Sequence, residues 1–319
     1  MKKLGITIGD FNGISPEITI KALNSTDLPA EKIVIFANSK LFDLYAEKFG
    51  LRLKKKFEVV EIPFFEDDFA PGNESAASGK FSFLCLKTAC EYVNNGVLGA
   101  IATAPLSKNA MHLAGFDFSG QTEVLETFCA KKNRHTEMLF TAGTFRVLLL
   151  TRHIALSEVS KSLSIDLIVR KIKVLNESLK RFYGLDAPKI GLCALNPHAG
   201  ENGLFGDEEQ MIFAPAVERL RASGIAVSEP IPADALFAKA AKSLLNCEKP
   251  QYDCYAAVYH DQGLIPVKML CPKTAVNTTI GLDFIRTSPA HGTAFDIAGR
   301  LEADETGMIC AIKSALSTF

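Results

Sequence analysis

The sequence predicts an α/β fold with a mixed sheet, and three observations carry that expectation. Residues 4–8 are a short apolar run, Gly9 to Gly13 turn it, and Ser15 can cap a helix with Pro16 at its first position, so the first 25 residues read strand, turn, helix. Apolar runs of strand length then alternate with amphipathic stretches through the rest of the chain. Two strand-like runs, 138–141 and 145–150, are separated only by Ala142-Gly143-Thr144, a hairpin signal that makes part of the sheet antiparallel.

Taken in order, residues 33–37 form a second strand and 41–49 a second helix. Residues 51–72 are mixed, and Glu66-Asp67-Asp68 read as a solvated loop. Ser75 precedes a helical pattern through Tyr92. Residues 100–103 are a strand stopped by Pro105, and Ser107 caps a short helix through Leu113. Thr122 is a candidate cap for an apolar-periodic segment at 124–128, and free N–H groups at such a terminus also suit an anion. A long amphipathic helix spans 164–182 and ends near Gly184. Strand 190–195 follows, then a helix over 207–223, whose opening acids suit its N-terminus. Pro230 and Pro232 bracket a loop before a helix at 235–245. Residues 254–259, 274–280 and 284–287 read as strands. A small-residue loop at 289–294 starts a helix at about Ala294, and a last helix begins at about Asp304.

Length and composition narrow the function classes. A chain of 319 residues suits about two domains. Net charge is -1, from 35 basic and 36 acidic residues, with no basic face, which argues against nucleic acid as a partner. The eight cysteines are scattered, without a Cys-x-x-Cys pair, as reduced core cysteines of a cytoplasmic protein are. No apolar run reaches the roughly 18 residues of a membrane span. Gly-x-Gly-x-x-Gly after a strand, the P-loop, the Gly-x-Ser-x-Gly elbow and His-Glu-x-x-His are all missing, so the usual dinucleotide, serine-hydrolase and zincin readings fall away.

Three histidines share one local context. His153, His198 and His260 each follow an apolar run at a strand end, and ligands of open α/β sheets bind beyond those ends. A lone histidine there is more often a satisfied structural residue. Three together suggest one divalent metal with open coordination positions, and imidazole suits zinc, cobalt or nickel. Asp234 is either a further ligand, an orienter of an imidazole, or simply the cap of helix 235–245. Lys268, Asn277 and Arg286 interrupt apolar, strand-like runs, so each must find a buried partner or line a site. Beside a metal, Lys and Arg read as binders of carboxylate or phosphate; the bland alternative is snorkelling side chains.

At these residues the chain resembles the 4-hydroxythreonine-4-phosphate dehydrogenase family. The matching segments are Ile6-Thr7-Ile8-Gly9-Asp10 with Gly13-Ile14 and Pro16-Glu17; Ala102-Thr103-Ala104-Pro105; Gly120 with Thr122-Glu123; Asn196-Pro197-His198-Ala199-Gly200-Glu201; Asp207-Glu208-Glu209; Tyr259-His260-Asp261-Gln262-Gly263; Phe284-Ile285-Arg286-Thr287-Ser288; and His291-Gly292-Thr293-Ala294. The resemblance implies two α/β/α domains flanking a cleft, as in isopropylmalate dehydrogenase. A terminal domain of residues 1–125 plus 278–319 would lie on the cofactor side, and a middle domain of 126–277 would carry the metal site and the dimer contact. It further implies NAD- or NADP-linked oxidation of a phosphorylated hydroxy-amino acid, followed by decarboxylation. One divalent cation (zinc, magnesium or cobalt) per active site would be bound by His153, His198 and His260, which meet across a homodimer interface. Lys268 and Asp234 would assist the chemistry. Gln121, Thr122, Lys268, Asn277 and Arg286 would bind substrate. His291, Gly292, Thr293, Ala294 and Asp296 would bind the nicotinamide cofactor. Gln121 departs from the family's usual His, and Phe11, Asn12 and Ser15 depart from its usual first loop. Competing expectations are a dehydrogenase of 4-phospho-D-threonate or 4-phospho-D-erythronate, a phosphate acyltransferase of the same fold, and a binding module without catalysis.

Overall fold

The computed structural model describes residues 2–25, 28–129 and 135–319. The chain forms two compact units, Met1–Thr136 with Leu282–Phe319, and Glu137–Gly281. The chain passes between them at 136/137 and 281/282, where the expectation had 125/126 and 277/278.

The first unit begins with β1 (Lys3–Thr7), α1 (Ser15–Ser25), β2 (Ile33–Ala37), α2 (Ser39–Phe49), β3 (Glu58–Glu61), α3 (Ala76–Asn94), β4 (Leu98–Thr103), α4 (Lys108–Leu113) and α5 (Gln121–Cys129). The second unit holds β5 (Glu137–Ala142), β6 (Phe145–Leu149), α6 (Val159–Ser162), α7 (Ile165–Tyr183), β7 (Lys189–Cys193), α8 (Ala214–Ala222), β8 (Ala226–Ile231), α9 (Ala233–Leu245), β9 (Cys254–Ala257), α10 (His260–Leu270) and β10 (Val276–Ile280). The first unit is completed by β11 (Ile285–Pro289) and α11 (Thr306–Leu316).

In the first unit the strands lie in the order β3-β2-β1-β4-β11, all parallel. Strands β2 and β4 are buried along their whole length, which is why they read as unbroken apolar runs. In the second unit the order is β10-β5-β6-β9-β7-β8. Strands β10, β5 and β6 pair antiparallel, as the hairpin signal requires, and β6, β9, β7 and β8 run parallel. Gly143 turns the hairpin at φ 60°.

Helix starts follow the capping chemistry at Ser75, Ser107 and Ser164, whose side chains accept from the N–H of Ser78, Ala110 and Leu167. Ser15 does not cap: its hydroxyl donates to Pro105 O at 2.6 Å, and the helix already includes it. Four other expectations change. Lys268 is not in a strand; it lies on α10, which absorbs Pro266. Residues read as a loop around Pro230 form β8, and proline is tolerated there because β8 is an edge strand. No α-helix starts at Ala294, only a single tight turn over Phe295–Ile297. Thr122 is not a cap, because α5 begins at Gln121.

The departures in the first loop have a structural account. Asn12 Nδ2 donates to Asp68 O and Ser75 Oγ, both at 3.3 Å, and its Oδ1 accepts from Ala70 N at 2.8 Å. One amide thus ties the β1–α1 loop to the segment before α3. Asp10 beside it is fully buried and accepts from Asn12 N at 2.9 Å and Ser78 Oγ at 3.0 Å. Burial outweighs these bonds and raises its pKa from 3.8 to about 6. The raised value means that the protonated fold is favoured: the stabilisation is full below the ordinary carboxylate range and is lost as pH rises through about 6. A shift of that size corresponds to about 3 kcal/mol. Asp10→Asn is therefore expected to gain stability relative to the unaltered protein between pH 5 and 7.5, by about 1.4 kcal/mol. Parallel unfolding free energies across that range would sink the expectation.

Candidate active site

The end of β6 is bonded onto the end of β9. Leu150 N donates to Ala257 O at 2.8 Å, and Thr151 donates to Val258 O through its N–H at 2.9 Å and its hydroxyl at 2.8 Å. This brings His153, four residues past β6, to His260, the first residue of α10: the ring centres are 5.5 Å apart, tilted by 46°. Two imidazoles sharing one tetrahedral cation through nitrogens at about 2.0–2.1 Å hold their ring centres roughly 5 Å apart. The pair fits a metal in that respect. His260 Nδ1 lies 2.7 Å from Asp261 Oδ1, which fixes a tautomer with Nε2 left to ligate. Arg152, Ile154, Tyr259 and Asp261 line a cavity of about 280 Å³ with the two histidines.

His198 is not brought to this pair. Among the described residues no group of three His, Cys, Asp or Glu side chains is placed to hold a metal. His198 instead starts a turn in which five successive residues, 198–202, are left-handed, with φ between 42° and 77°. Gly200, and to a lesser degree Asn202, suits that region; for the other three residues it costs roughly 1–2 kcal/mol each. Gln262 connects the strands that carry His198 and His260: its Oε1 accepts from Val258 N at 2.6 Å and its Nε2 donates to Ala194 O at 2.8 Å. Asp234 is exposed in the first turn of α9, and Lys268 is exposed on α10, eight residues beyond His260. Asn277 on β10 has a buried Oδ1 that meets no hydrogen-bond partner among the described residues, the mark of a group that awaits a ligand or water.

The first unit places Arg286 on β11, 4% exposed, with Nε donating to Thr103 Oγ1 at 2.8 Å and Nη2 to Gln121 Oε1 at 2.7 Å. Burial lowers its pKa to about 9, still charged at neutral pH. Gln121 also donates through Nε2 to Ala104 O at 3.2 Å, so its amide is fixed at both ends and orients the guanidinium. Thr103 and Gln121 are neutral acceptors that set the direction of the guanidinium. Thr122 is half-buried beside Gln121.

His291 is exposed, and the loop behind it is anchored to the first loop: Ile14 N donates to Thr293 O at 2.9 Å. A Cβ on Gly13 would stand 2.8 Å from that oxygen, whereas one on Gly292 would meet nothing within 4 Å. Ala294 sits at φ 42°, and Asp296 is exposed in the turn that follows. A fixed loop with an open backbone face fits close approach by a planar cofactor.

Sequence reasoning passed over an ion cluster. Glu137, buried at the start of β5, is met by Lys171, by Arg170 at 3.2 Å and by Arg152 at 3.6 Å. Burial lowers the Lys171 pKa, and Glu137 opposes that. The signal was present: Lys171 lies on the apolar face of α7, three residues after Ile168 and four before Leu175.

Comparison with known proteins adds to this geometry. The family described as "Pyridoxal phosphate biosynthetic protein PdxA" matches residues 11–315. The 4-hydroxythreonine-4-phosphate dehydrogenase of Sulfurihydrogenibium sp. is 38% identical, over 99% of this chain and 98% of its own. The D-threonate 4-phosphate dehydrogenase of Salmonella typhimurium is 39% identical, over 99% and 98%. The crystal structure of the Klebsiella pneumoniae 4-hydroxythreonine-4-phosphate dehydrogenase superposes with a TM-score of 0.87 at 35% identity, covering 99% of each chain.

Proposed function

We infer the reaction from family membership first: the chain belongs to the PdxA family of pyridoxal phosphate biosynthetic proteins. On that premise it oxidises 4-phosphooxy-L-threonine with NAD or NADP to 2-amino-3-oxo-4-phosphooxybutanoate, which loses CO2 to give 3-amino-2-oxopropyl phosphate. The observation that carries the reading is the imidazole pair, His153 with His260, with Asp261 on the Nδ1 of His260. When bound, a divalent cation (zinc, magnesium or cobalt) would acidify the secondary hydroxyl, which gives up its proton, and a nicotinamide would accept the hydride from the carbon that bears it.

The residues of the chain divide the remaining work. Asp261 holds His260 in the ligating tautomer. Arg286, set by Thr103 and Gln121, holds an anionic end of the substrate, with Thr122 beside it. Asn277 offers its unpartnered carbonyl oxygen to a substrate donor. Lys268 gives electrostatic support or delivers a proton, and Asp234 is the acid assigned near the metal. The loop His291 to Ala294, with Asp296, holds the cofactor.

The working form is a homodimer. Exposed Ile154, Leu156, Leu204, Phe205, Ile265 and Met269 lie close in sequence to the three histidines, and large apolar side chains exposed together favour burial against a second copy. That copy supplies the missing third imidazole, His198. A cytoplasmic location follows from the biosynthetic role of the family, and the cysteines, all free thiols, support it.

Relatives of near-equal identity are named for D-threonate 4-phosphate, so the assay must compare substrates. NAD(P)H formation is measured with 4-phosphooxy-L-threonine, 4-phospho-D-threonate and 4-phospho-D-erythronate, with and without a chelator. The expected result is chelator-sensitive turnover, fastest with the first. Preference for either hydroxy acid would move the substrate assignment, and absence of NAD(P)H with all three would overturn the reading.

A further inference from the structure

The roles above leave two buried acids of the second unit unused, Glu137, which is met by Lys171, Arg170 and Arg152, and Glu209. Glu209 is 5% exposed and opens the wide helical turn before α8. Its Oε1 accepts from the backbone N–H of Leu195 and of Asn196, both at 2.9 Å, and its Oε2 accepts from the Asn196 side-chain amide at 2.9 Å. A Cβ on Gly200 would stand 2.9 Å from the same Oε2, so the carboxylate lies against the floor of the left-handed turn. The Asn196 amide also donates to Glu208 Oε2 at 2.7 Å, and Glu208 Oε1 accepts from Ser160 Oγ of α6 at 2.6 Å.

Within the turn, three backbone bonds recur, Ala199 N to Asn196 O, Leu204 N to Glu201 O and Phe205 N to Gly200 O, at 3.1–3.3 Å. A left-handed run of L-residues persists only where its surroundings over-determine it. The buried carboxylate does so from below: it fixes the two residues that lead into the turn and blocks any side chain at Gly200.

We propose that Glu209 is a positioning residue for His198, holding the strained turn in the one form that presents this imidazole to the metal. The inference rests on the metal site described under the proposed function. Glu209→Gln keeps the size but replaces one acceptor oxygen with a donor that faces other N–H groups.

The test is affinity for Co2+, read by competition with a coloured chelator, together with thermal melting of the metal-free proteins. Glu209→Gln is expected to bind Co2+ about 10- to 100-fold more weakly, the usual effect of losing a group that orients a ligand. In a His198→Ala background the same change should alter affinity less than twofold, because the residue it positions is gone. Unchanged affinity in Glu209→Gln would overturn the inference, and so would an equal loss in both backgrounds, which marks a general effect on the fold. If Glu209→Gln does not fold, Asn196→Ala, which removes the amide shared by Glu208 and Glu209, carries the same double comparison with a smaller expected loss. If the unaltered protein binds no Co2+, the metal reading fails along with this one, and that shows before any variant is made.

Discussion

His260→Ala protein is expected to lose at least about 1000-fold in turnover, equivalent to roughly 4 kcal/mol of transition-state stabilisation. It should also fail to retain a divalent cation through gel filtration. The reason is the small donor set: one chain brings together two imidazoles, so removing either leaves one of them beside the second copy's His198, two ligands where three are needed. His153→Ala should behave alike. Mixing experiments then read the architecture. His198→Ala mixed with His260→Ala should recover activity after subunit exchange, because a mixed dimer joins an intact His153–His260 pair to an intact His198. His153→Ala mixed with His260→Ala should not, because each chain lacks one member of the pair. Recovery in the second mixture would mean that His153 and His260 serve from different chains, against the 5.5 Å pairing within one.

Gln121→Glu is expected to raise KM for the phosphorylated substrate about 100-fold, with a smaller change in kcat. The side chain keeps its length, but the atom that accepts from Arg286 becomes part of a carboxylate. The introduced carboxylate then pairs with the buried guanidinium from within the protein and repels an incoming anion. At pH 7 and above the effect should be full. It should ease as pH falls and the introduced carboxyl takes a proton, since a protonated Glu presents Arg286 with a neutral acceptor again. Steady-state KM across pH 5–8 checks this, and a KM equal to that of the unaltered protein throughout would show that Arg286 does not hold the substrate's anionic end.

Much of the fold was legible because its signals are local. Proline and glycine mark the ends of the strands before the histidine loops, and serine caps mark α3, α4 and α7. The misreadings came where a local pattern had two solutions. Residues 264–267 are apolar enough for a strand, yet the buried residues of α10 are Gly263, Leu264 and Val267, a helical spacing, and Pro266 sits where the helix absorbs it. Strand β8 carries Ser228, Glu229 and Pro230 because it is a half-exposed edge, so it lacks the alternation that identifies a strand.

The candidate site divides along the same line. That three histidines follow strands was visible. That His153 and His260 meet was not, because β6 and β9 are neighbours across more than a hundred residues of chain. The orientation of Gln121 was equally hidden: an amide has a donor end and an acceptor end, and only the surroundings, Ala104 O and Arg286, decide which faces which.

Gln262 has a mechanical meaning. Its amide grips the chain four residues before His198 and two before His260, so the pairing of β7 with β9 is carried one step past the sheet, into the two loop roots. Errors in one loop are therefore passed to the other instead of accumulating independently. An asparagine, one methylene shorter, is expected to give up at least one of the two grips, and the two histidine loops would then be free to vary separately.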